Sequence, residues 1–443
     1  MSHEARTYPE ILHIEPLRDP PRATIQVPGS KSITNRALIL AALSDPSLGS
    51  TLTGVLRSED TEVITDALSS LGFRMQEEPL DASDGPRLPA IHVRRGNHAR
   101  PIPASGAELF LGNSGTSMRF LTALVSLGQG SYRLDGVARM RERPIGDLLA
   151  ALQQLGVNAY SANDDGYPPV IVEANGLRGG RARLKGNVSS QFLSGLLMAA
   201  PLAKQEVTIE IDGPLVSEPY VAMTIEMMRQ FGISADGGAT TQFHIPLSPH
   251  YTAQTFAVEP DASAASYFFA AAAITGGEVT VPGLGASSLQ GDISFAHILQ
   301  EMGASVTMRE HGTHLSGRWL RGLEVDMNKI SDCAMTLAAV ACFADGPTTI
   351  RNVAHIRYKE TDRLTALATE LRRVGAQVEE FSDGLRITPR PLHGAVIETY
   401  NDHRMAMSMA IVGLKVPGIA VRNPGCVAKT YPTFFDDLAK LRR

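Results

Sequence analysis

Cysteine is scarce in this chain. Cys333, Cys342 and Cys426 are the three among 443 residues, and no two stand in CxxC spacing. Neither a disulfide framework nor a structural metal site is expected, and the set fits a reducing compartment. Aromatic residues are 6% of the chain and the net charge is −5. A protein that binds nucleic acid or an anionic membrane through bulk electrostatics is thereby excluded. The phosphate-binding fingerprints GxxxxGK[ST] and GxGxxG with a following acidic residue are missing as well. The most continuous apolar run, around Tyr267 to Ile274, is far short of the ~20 residues that a membrane span needs. The opening MSHEARTYPEILHIEPL has no basic stretch leading into an apolar one. No signal peptide is expected, and a cytoplasmic location is.

The chain does contain enough apolar sequence for more than one core. Hydrophobic residues make up 43% and charged residues 20%, as in soluble globular proteins, and the length suggests two or three domains. Amphipathic segments close on glycine at Gly72, Gly156, Gly232, Gly303 and Gly375 (ALSSLG, ALQQLG, MMRQFG, ILQEMG and ELRRVG), and FFDDLAKL ends the chain in a similar helix. Glycine after such a run is a helix C-terminal signal. A hairpin pattern follows each glycine: GFRMQEEPLDASDGPRLPAIHV, GVNAYSANDDGYPPVIVEA, GISADGGATTQFHIP, GASVTMREHGTHLSG and GAQVEEFSDGLRITP.

A second kind of helix recurs with the same period. PGSKSITNRALILAAL from residue 28 is followed by NSGTSMRFLTALVSL from Asn113, SSQFLSGLLMAAPLA from Ser189 and DASAASYFFAAAAI from Asp261. SDCAMTLAAVACF from Ser331 and NDHRMAMSMAIVGL from Asn401 complete the set. Each begins polar and continues small and apolar, the pattern of a buried helix. TLTGVL, VTIEIDGPL, EVTVPGLG and TTIRNVAH supply strands after buried helices. The repeating unit reads as strand, buried helix, strand, amphipathic helix and hairpin. Six such units predict an α/β protein of two three-unit domains. The first spans 22–256, the second 257–443 with 1–21, and hinges are expected near Asp19–Pro21 and residue 256.

If the buried helices of a domain run parallel, their polar starts emerge together. Helix N-termini carry unpaired N–H groups and the positive end of the macrodipole, so they attract anions. Two such surfaces predict an anion-binding cleft between the domains. Arg139, Arg141 and Arg143 in ARMRERPIG, Arg357, Lys359 and Arg363 in HIRYKETDRL, and Lys429 in GCVAKTYP add cations. Each alone also reads as a solvated surface charge. Cations from both domains imply a ligand with several anionic groups. Asp332 reads either as a helix N-cap or as a catalytic carboxylate. Glu360 reads either as the i,i+3 partner of Arg363 or as the second member of a general acid/base pair.

With these residues in view the chain resembles the 5-enolpyruvylshikimate-3-phosphate synthase family. The motifs are PGSKSITNRALILAAL, LFLGNSGTSMRFL, RMRERPIGDLL, VSSQFLSGLLMAAP, YKETDRL, YNDHRMAMSMA and CVAKTYPTFF. The resemblance implies two similar domains, each of three βαβαββ units around buried parallel helices, an inside-out α/β barrel. It implies transfer of enolpyruvyl from phosphoenolpyruvate to the 5-hydroxyl of shikimate 3-phosphate by addition and elimination, without metal or cofactor, in a monomer. By the same resemblance Ser32, Arg36, Ser189, Ser190, Ser217, Tyr220, Asp332, His355 and Lys359 contact shikimate 3-phosphate. Lys31, Gly115, Thr116, Arg143, Gln191, Arg363, Arg404 and Lys429 serve phosphoenolpyruvate. Asp332 is the implied base for the hydroxyl, and Glu360 carries the methylene proton, with Lys31 as another candidate donor.

Some positions depart from the family pattern. His355 stands where many relatives have Asn, Phe120 where many have Pro, and Ser114 and Ser117 where Ala is common. Gly115 is retained, and the resemblance implies inhibition by glyphosate at the phosphoenolpyruvate site. Two other readings compete. One is the sister enzyme acting on UDP-N-acetylglucosamine, whose loop cysteine is missing from RMRERPIG. The other is a non-catalytic repeat protein that binds polyanions, against which the carboxylates among the cations argue.

Overall fold

The stretches that begin polar and continue small and apolar form helices buried on nearly every side, and amphipathic helices alternate with them. The structure, a computed structural model, describes residues 7–77, 89–96, 98–237 and 241–442. Buried α1 (Lys31–Ala42) is followed by amphipathic α2 (Glu59–Ser70), and α3 (Gly115–Val125) by α4 (Gly146–Gln154). The alternation continues with α5 (Ser190–Ala199) and α6 (Glu218–Gln230), α7 (Ala262–Thr275) and α8 (Ser294–Met302), α9 (Ala334–Ala341) and α10 (Arg363–Arg373), and α11 (His403–Gly413) and α12 (Phe434–Ala439). Every residue of α3, α9 and α11 is buried. Side chains of Ala, Ser and Gly permit this, because they let helices approach closely on several sides. The amphipathic α2, α4, α6, α8 and α10 end before Gly72, Gly156, Gly232, Gly303 and Gly375, all at positive φ. Among the described residues no helix is long and apolar enough to cross a membrane.

The chain divides into two units, Gly29–Val258 and Met1–Pro28 with Glu259–Arg443, here called the central and the C-terminal unit. Among the described residues each holds three sheets. A complete repeat is seen at 106–175. Gly106–Phe110 pairs in parallel with Gln129–Asp135 across α3. Gln129–Asp135 pairs antiparallel with Val170–Asn175, which pairs in turn with Asn158–Ser161. Parallel neighbours need a crossover connection, and the buried helix supplies it.

The repeats exchange strands within each unit. Thr255–Ala257 pairs with Ser50–Thr53, so the central unit ends by supplying the first strand of its own first repeat. Arg22–Thr24 pairs in parallel with Glu278–Thr280 in the C-terminal unit. This pairing goes with the inclusion of Arg22–Thr24 in the C-terminal unit. Ile11–His13 pairs antiparallel with Ala420–Arg422 and takes the place of a hairpin in the last repeat. Two expected hairpins are incomplete among the described residues. In 72–93 the arms Arg74–Glu77 and Ala90–Arg94 pair, whereas residues 78–88 lie outside the described residues. In 232–246 one arm reduces to a bridge between Asp236 and His244, and residues 238–240 lie outside the description.

The start of α1 shows how closely the turns are fitted. Ser30 caps the helix, its hydroxyl accepting from the Ile33 N–H. A Cβ on the preceding Gly29 would stand 1.9 Å from the carbonyl oxygen of Gly54, with only backbone there to give way. Gly29→Ala is therefore expected to destabilise the protein by about 2 kcal/mol or more. A thermal melt with a midpoint equal to that of the parent would contradict this.

Candidate active site

In the C-terminal unit the starts of α7, α9, α10 and α11 are tied together by charge. Arg363 opens α10 and is 2% exposed. Its Nε donates to Asp402 Oδ2 at 2.8 Å, its Nη2 to Glu360 Oε2 at 2.8 Å, and its Nη1 to Asp332 Oδ1 at 3.3 Å. Asp402 is fully buried and caps α11 by accepting from the Arg404 N–H at 2.9 Å. The Arg404 guanidinium turns back to Asp332, with Nη2 2.8 Å from Oδ2 and Nη1 3.3 Å from the Asp332 carbonyl oxygen. It also approaches Ser263 Oγ and Tyr267 OH, each at 3.5 Å. Lys429 Nζ lies 3.9 Å from Glu360 Oε1.

A 3-10 turn, Asn328–Cys333, precedes α9 and contains Asp332, whose side chain keeps 17% exposure. The N-cap residue of α9 is Cys333, without a side-chain bond, and Asp332 lies one residue before it. Its carboxylate is spanned by two guanidiniums and remains partly open. Glu360 does form the i,i+3 pair with Arg363, yet it is buried and also faces Lys429. The i,i+3 pairing expected of Glu360 is therefore present, with Lys429 as a second cation beside it.

His355 is buried and shares a 2.9 Å hydrogen bond with Ser331 Oγ. Burial pushes its pKa down to about 4, and Lys359 and Arg363 add to the effect while Asp332 opposes it. The imidazole is neutral at physiological pH. Lys359 is half-buried just before Glu360.

The central unit gathers a second set of expected residues. Lys31 Nζ lies 3.5 Å from Asp60 Oδ2 at the start of α2. Arg36 is buried, with Nε on Thr224 Oγ1 at 2.7 Å, Nη1 on the Ser32 carbonyl at 2.9 Å, and Nη2 on Ser194 Oγ and the Tyr220 carbonyl at 3.3 and 3.1 Å. Burial pulls its pKa down to about 10, against a small opposing effect of Tyr220, and it stays protonated. Its guanidinium also lies 5.2 Å from the centre of the Phe120 ring, a cation–π distance. The aromatic departure at 120 is thus packed into the unit. Ser217, at the start of α6, adopts a left-handed backbone (φ 53°), uncommon for a residue with a side chain.

Gly115 opens α3 between two arginines. Arg143 Nη1 donates to the carbonyl and side-chain oxygens of Asn113 at 3.0 and 3.2 Å. Arg119 donates to the carbonyls of Gly115 and Pro144 at 3.0 and 3.1 Å. Gln191 Nε2 donates to Thr116 Oγ1 at 3.0 Å, and Ser189 caps α5 through the Gln191 N–H. The starts of α3 and α5 therefore meet, with Ser190 buried beside them. The neighbouring Arg139 and Arg141 instead form exposed pairs with Glu142 and Asp135, the bland outcome for those charges. Among the described residues no group of three or more His, Cys, Asp or Glu is placed to hold a metal ion.

Several members of these clusters were given no individual role from the sequence. Asn113, Arg119 and Asp402 lie inside quoted motifs. Asp60 carries no local signal, because an acidic residue in the first turn of an amphipathic helix usually serves only the macrodipole. Asp292 is equally silent. It is buried in the turn Gly291–Ile293 and accepts a hydrogen bond from Ser263. Burial, then repulsion from Asp332, pushes its carboxyl up to about 6, with Asp261 adding and Ser263 and Arg404 opposing.

The comparisons with known proteins agree in direction. The family model described as EPSP synthase (3-phosphoshikimate 1-carboxyvinyltransferase) matches residues 18–438. A 3-phosphoshikimate 1-carboxyvinyltransferase of Trichormus variabilis is 48% identical over 433 residues, covering 98% of this chain and 99% of the relative. One from Shewanella oneidensis is 46% identical, with 97% and 99% covered. Among solved structures, EPSP synthase from Acinetobacter baumannii superposes with a TM-score of 0.79 at 26% identity, covering 97% of this chain and 98% of that one.

The raised pKa of the Asp292 carboxyl predicts that stability depends on pH. An acid whose pKa is raised by folding favours the native state below the unfolded value. That contribution is lost as pH rises toward about 6. Asp292→Asn keeps an oxygen for Ser263 and removes the titration. Its melting temperature relative to the parent should therefore be higher at pH 8 than at pH 5. The same difference at both pH values would contradict the account.

Proposed function

This chain belongs to the EPSP synthase (3-phosphoshikimate 1-carboxyvinyltransferase) family, and we propose how its two clusters divide the reaction. The enzyme transfers enolpyruvyl from phosphoenolpyruvate to the 5-hydroxyl of shikimate 3-phosphate and releases phosphate. Addition needs a proton on the enol methylene and one taken from the hydroxyl. Elimination needs the methylene proton back. Groups that both give and accept a proton suit this, and carboxylates are such groups.

The observation that carries the assignment is the shared Arg363, which holds Asp332 and Glu360 on separate nitrogens. Asp332, partly open between Arg363 and Arg404, takes the hydroxyl proton. Glu360, between Arg363 and Lys429, carries the methylene proton, and Lys31 is a second candidate donor. Arg363, Arg404 and Lys429 bind phosphoenolpyruvate together with Lys31, Gly115, Thr116, Arg143 and Gln191. Their charges neutralise its phosphate and carboxylate and fix the attack geometry.

Shikimate 3-phosphate is held by Ser32, Ser189, Ser190, Ser217, Tyr220, His355, Lys359 and Asp332. Arg36 supports the same site from beneath, since its bonds to the carbonyls of Ser32 and Tyr220 fix two of these residues. His355, neutral, serves as a hydrogen-bonding group in place of the common Asn, and Lys359 supplies the charge.

Phosphate should be released from phosphoenolpyruvate only when shikimate 3-phosphate is added. Glu360→Gln and Asp332→Asn should each lower kcat by about 100-fold or more, while calorimetry still detects shikimate 3-phosphate binding. Turnover near the parental rate in either variant would remove that residue from its role.

Gly115 gives a separate test. A Cβ there would stand 2.3 Å from Arg143 Nη2 and 2.5 Å from Arg119 Nη1. Gly115→Ala must displace the Arg143 guanidinium, and KM for phosphoenolpyruvate should rise about 10- to 100-fold, the loss of one charged hydrogen bond. KM for shikimate 3-phosphate should change little. Equal rises in both would show that the alanine disturbs more than the arginine.

A further inference from the structure

Helix α10 grips the turn before α11 at two places. The first is the Arg363–Asp402 pair. The second lies seven residues on, at Glu370, on the same face of the helix. Glu370 is fully buried. Its Oε1 accepts from the Tyr400 hydroxyl at 2.8 Å, and its Oε2 from the Glu398 N–H at 3.1 Å. Arg373, one turn further along α10, neutralises it with Nε at 2.9 Å from Oε2.

The gripped turn is strained. Tyr400 and Asn401 both have left-handed backbones, with φ 54° and 55°. Such conformations persist in residues with side chains only where the surroundings enforce them. Burial does not enforce this one, because Tyr400 is 41% exposed. Its hydroxyl bond to Glu370 and the Asn423 Nδ2 bond to Asn401 Oδ1 at 3.2 Å hold the turn from outside. Partial desolvation of the hydroxyl end, followed by the bond to Glu370, pushes the Tyr400 phenol up to about 12, so it remains a donor across the working pH range. The next residue is Asp402, which orients both Arg363 and the Arg404 backbone.

We propose that Glu370 and Tyr400 are positioning residues for phosphoenolpyruvate: their bond fixes the left-handed turn that sets Asp402, and through Asp402 the Arg363 and Arg404 guanidiniums. Neither residue is a substrate contact under the function given above. The proposal rests on the assignment of Arg363 and Arg404 to phosphoenolpyruvate.

The test uses the full chain with Tyr400→Phe and Glu370→Gln, and Arg404→Lys as the control for the underlying assignment. Each variant is measured for kcat, both KM values and melting temperature. Tyr400→Phe should raise KM for phosphoenolpyruvate about tenfold and leave KM for shikimate 3-phosphate within about twofold. Glu370→Gln leaves one acceptor oxygen for two donors, the Tyr400 hydroxyl and the Glu398 N–H, so it should raise KM for phosphoenolpyruvate in the same direction by at most about tenfold, with KM for shikimate 3-phosphate within about twofold. Tyr400→Phe removes only an oxygen at a partly exposed site, so it answers even if the buried Gln prevents folding. A lower melting temperature with both KM values unchanged in Tyr400→Phe, while Arg404→Lys raises KM for phosphoenolpyruvate, would make the bond merely structural and overturn the proposal. If Arg404→Lys also leaves that KM unchanged, the assignment of Arg404 itself falls, and the proposal falls with it.

Discussion

One buried guanidinium sets the arrangement of the C-terminal unit's charged end. Arg363 faces Asp332, Glu360 and Asp402 at once, and each comes from a different part of the chain. Burying that many charges is costly unless each finds a partner with good geometry. The planar fork of arginine suits the task, since its nitrogens point to separate carboxylates in fixed directions. Asp402 is needed to start α11, Asp332 lies in the turn before α9, and Glu360 precedes α10. The starts of these helices therefore cannot move independently of Arg363. Lysine, a single point of charge, would not fix three directions.

The helices were legible in the sequence because their chemistry is local. Small apolar runs with polar starts became α1, α3, α5, α7, α9 and α11, and Ser30, Ser189, Asp261 and Asp402 cap four of them. The glycines that close the amphipathic helices adopt the positive φ that makes glycine the residue for that position. Strand exchange was not legible. Arg22–Thr24 and Thr255–Ala257 are three residues each, too short to show periodicity, and their partners are set by tertiary closure. Buried carboxylates were silent for a related reason. Glu370 lies in ELRR, and Asp60 follows Ser58 and Glu59 on α2. On paper both look like the solvated face of a helix. Only the fold shows that Glu370 turns inward to Tyr400 and Arg373. The motifs led to Asp332, Glu360 and Arg363, but their sharing of one cation is a property of space alone.

The two units use their arginines differently. Hydroxyls and carbonyls hold Arg36 in the central unit. Neutral oxygens orient a guanidinium without cancelling its charge, so the field remains available to an anion, and the lowered pKa of Arg36 shows what that burial costs. Arg143, held by both oxygens of Asn113, is oriented by the same kind of partner. In the C-terminal unit carboxylates hold Arg363 and Arg404. There each guanidinium is held in a fixed direction by groups that can also take or give a proton. A reaction that binds polyanionic substrates and also moves protons needs both arrangements. Neutral partners leave the charge of Arg36 and Arg143 uncancelled by the contacts described. Carboxylate partners favour proton transfer, because the acids stay in place as charge on the substrate changes. This difference in partners gives a physical reason to place the proton-transfer steps on Asp332 and Glu360, over and above their resemblance to a family motif.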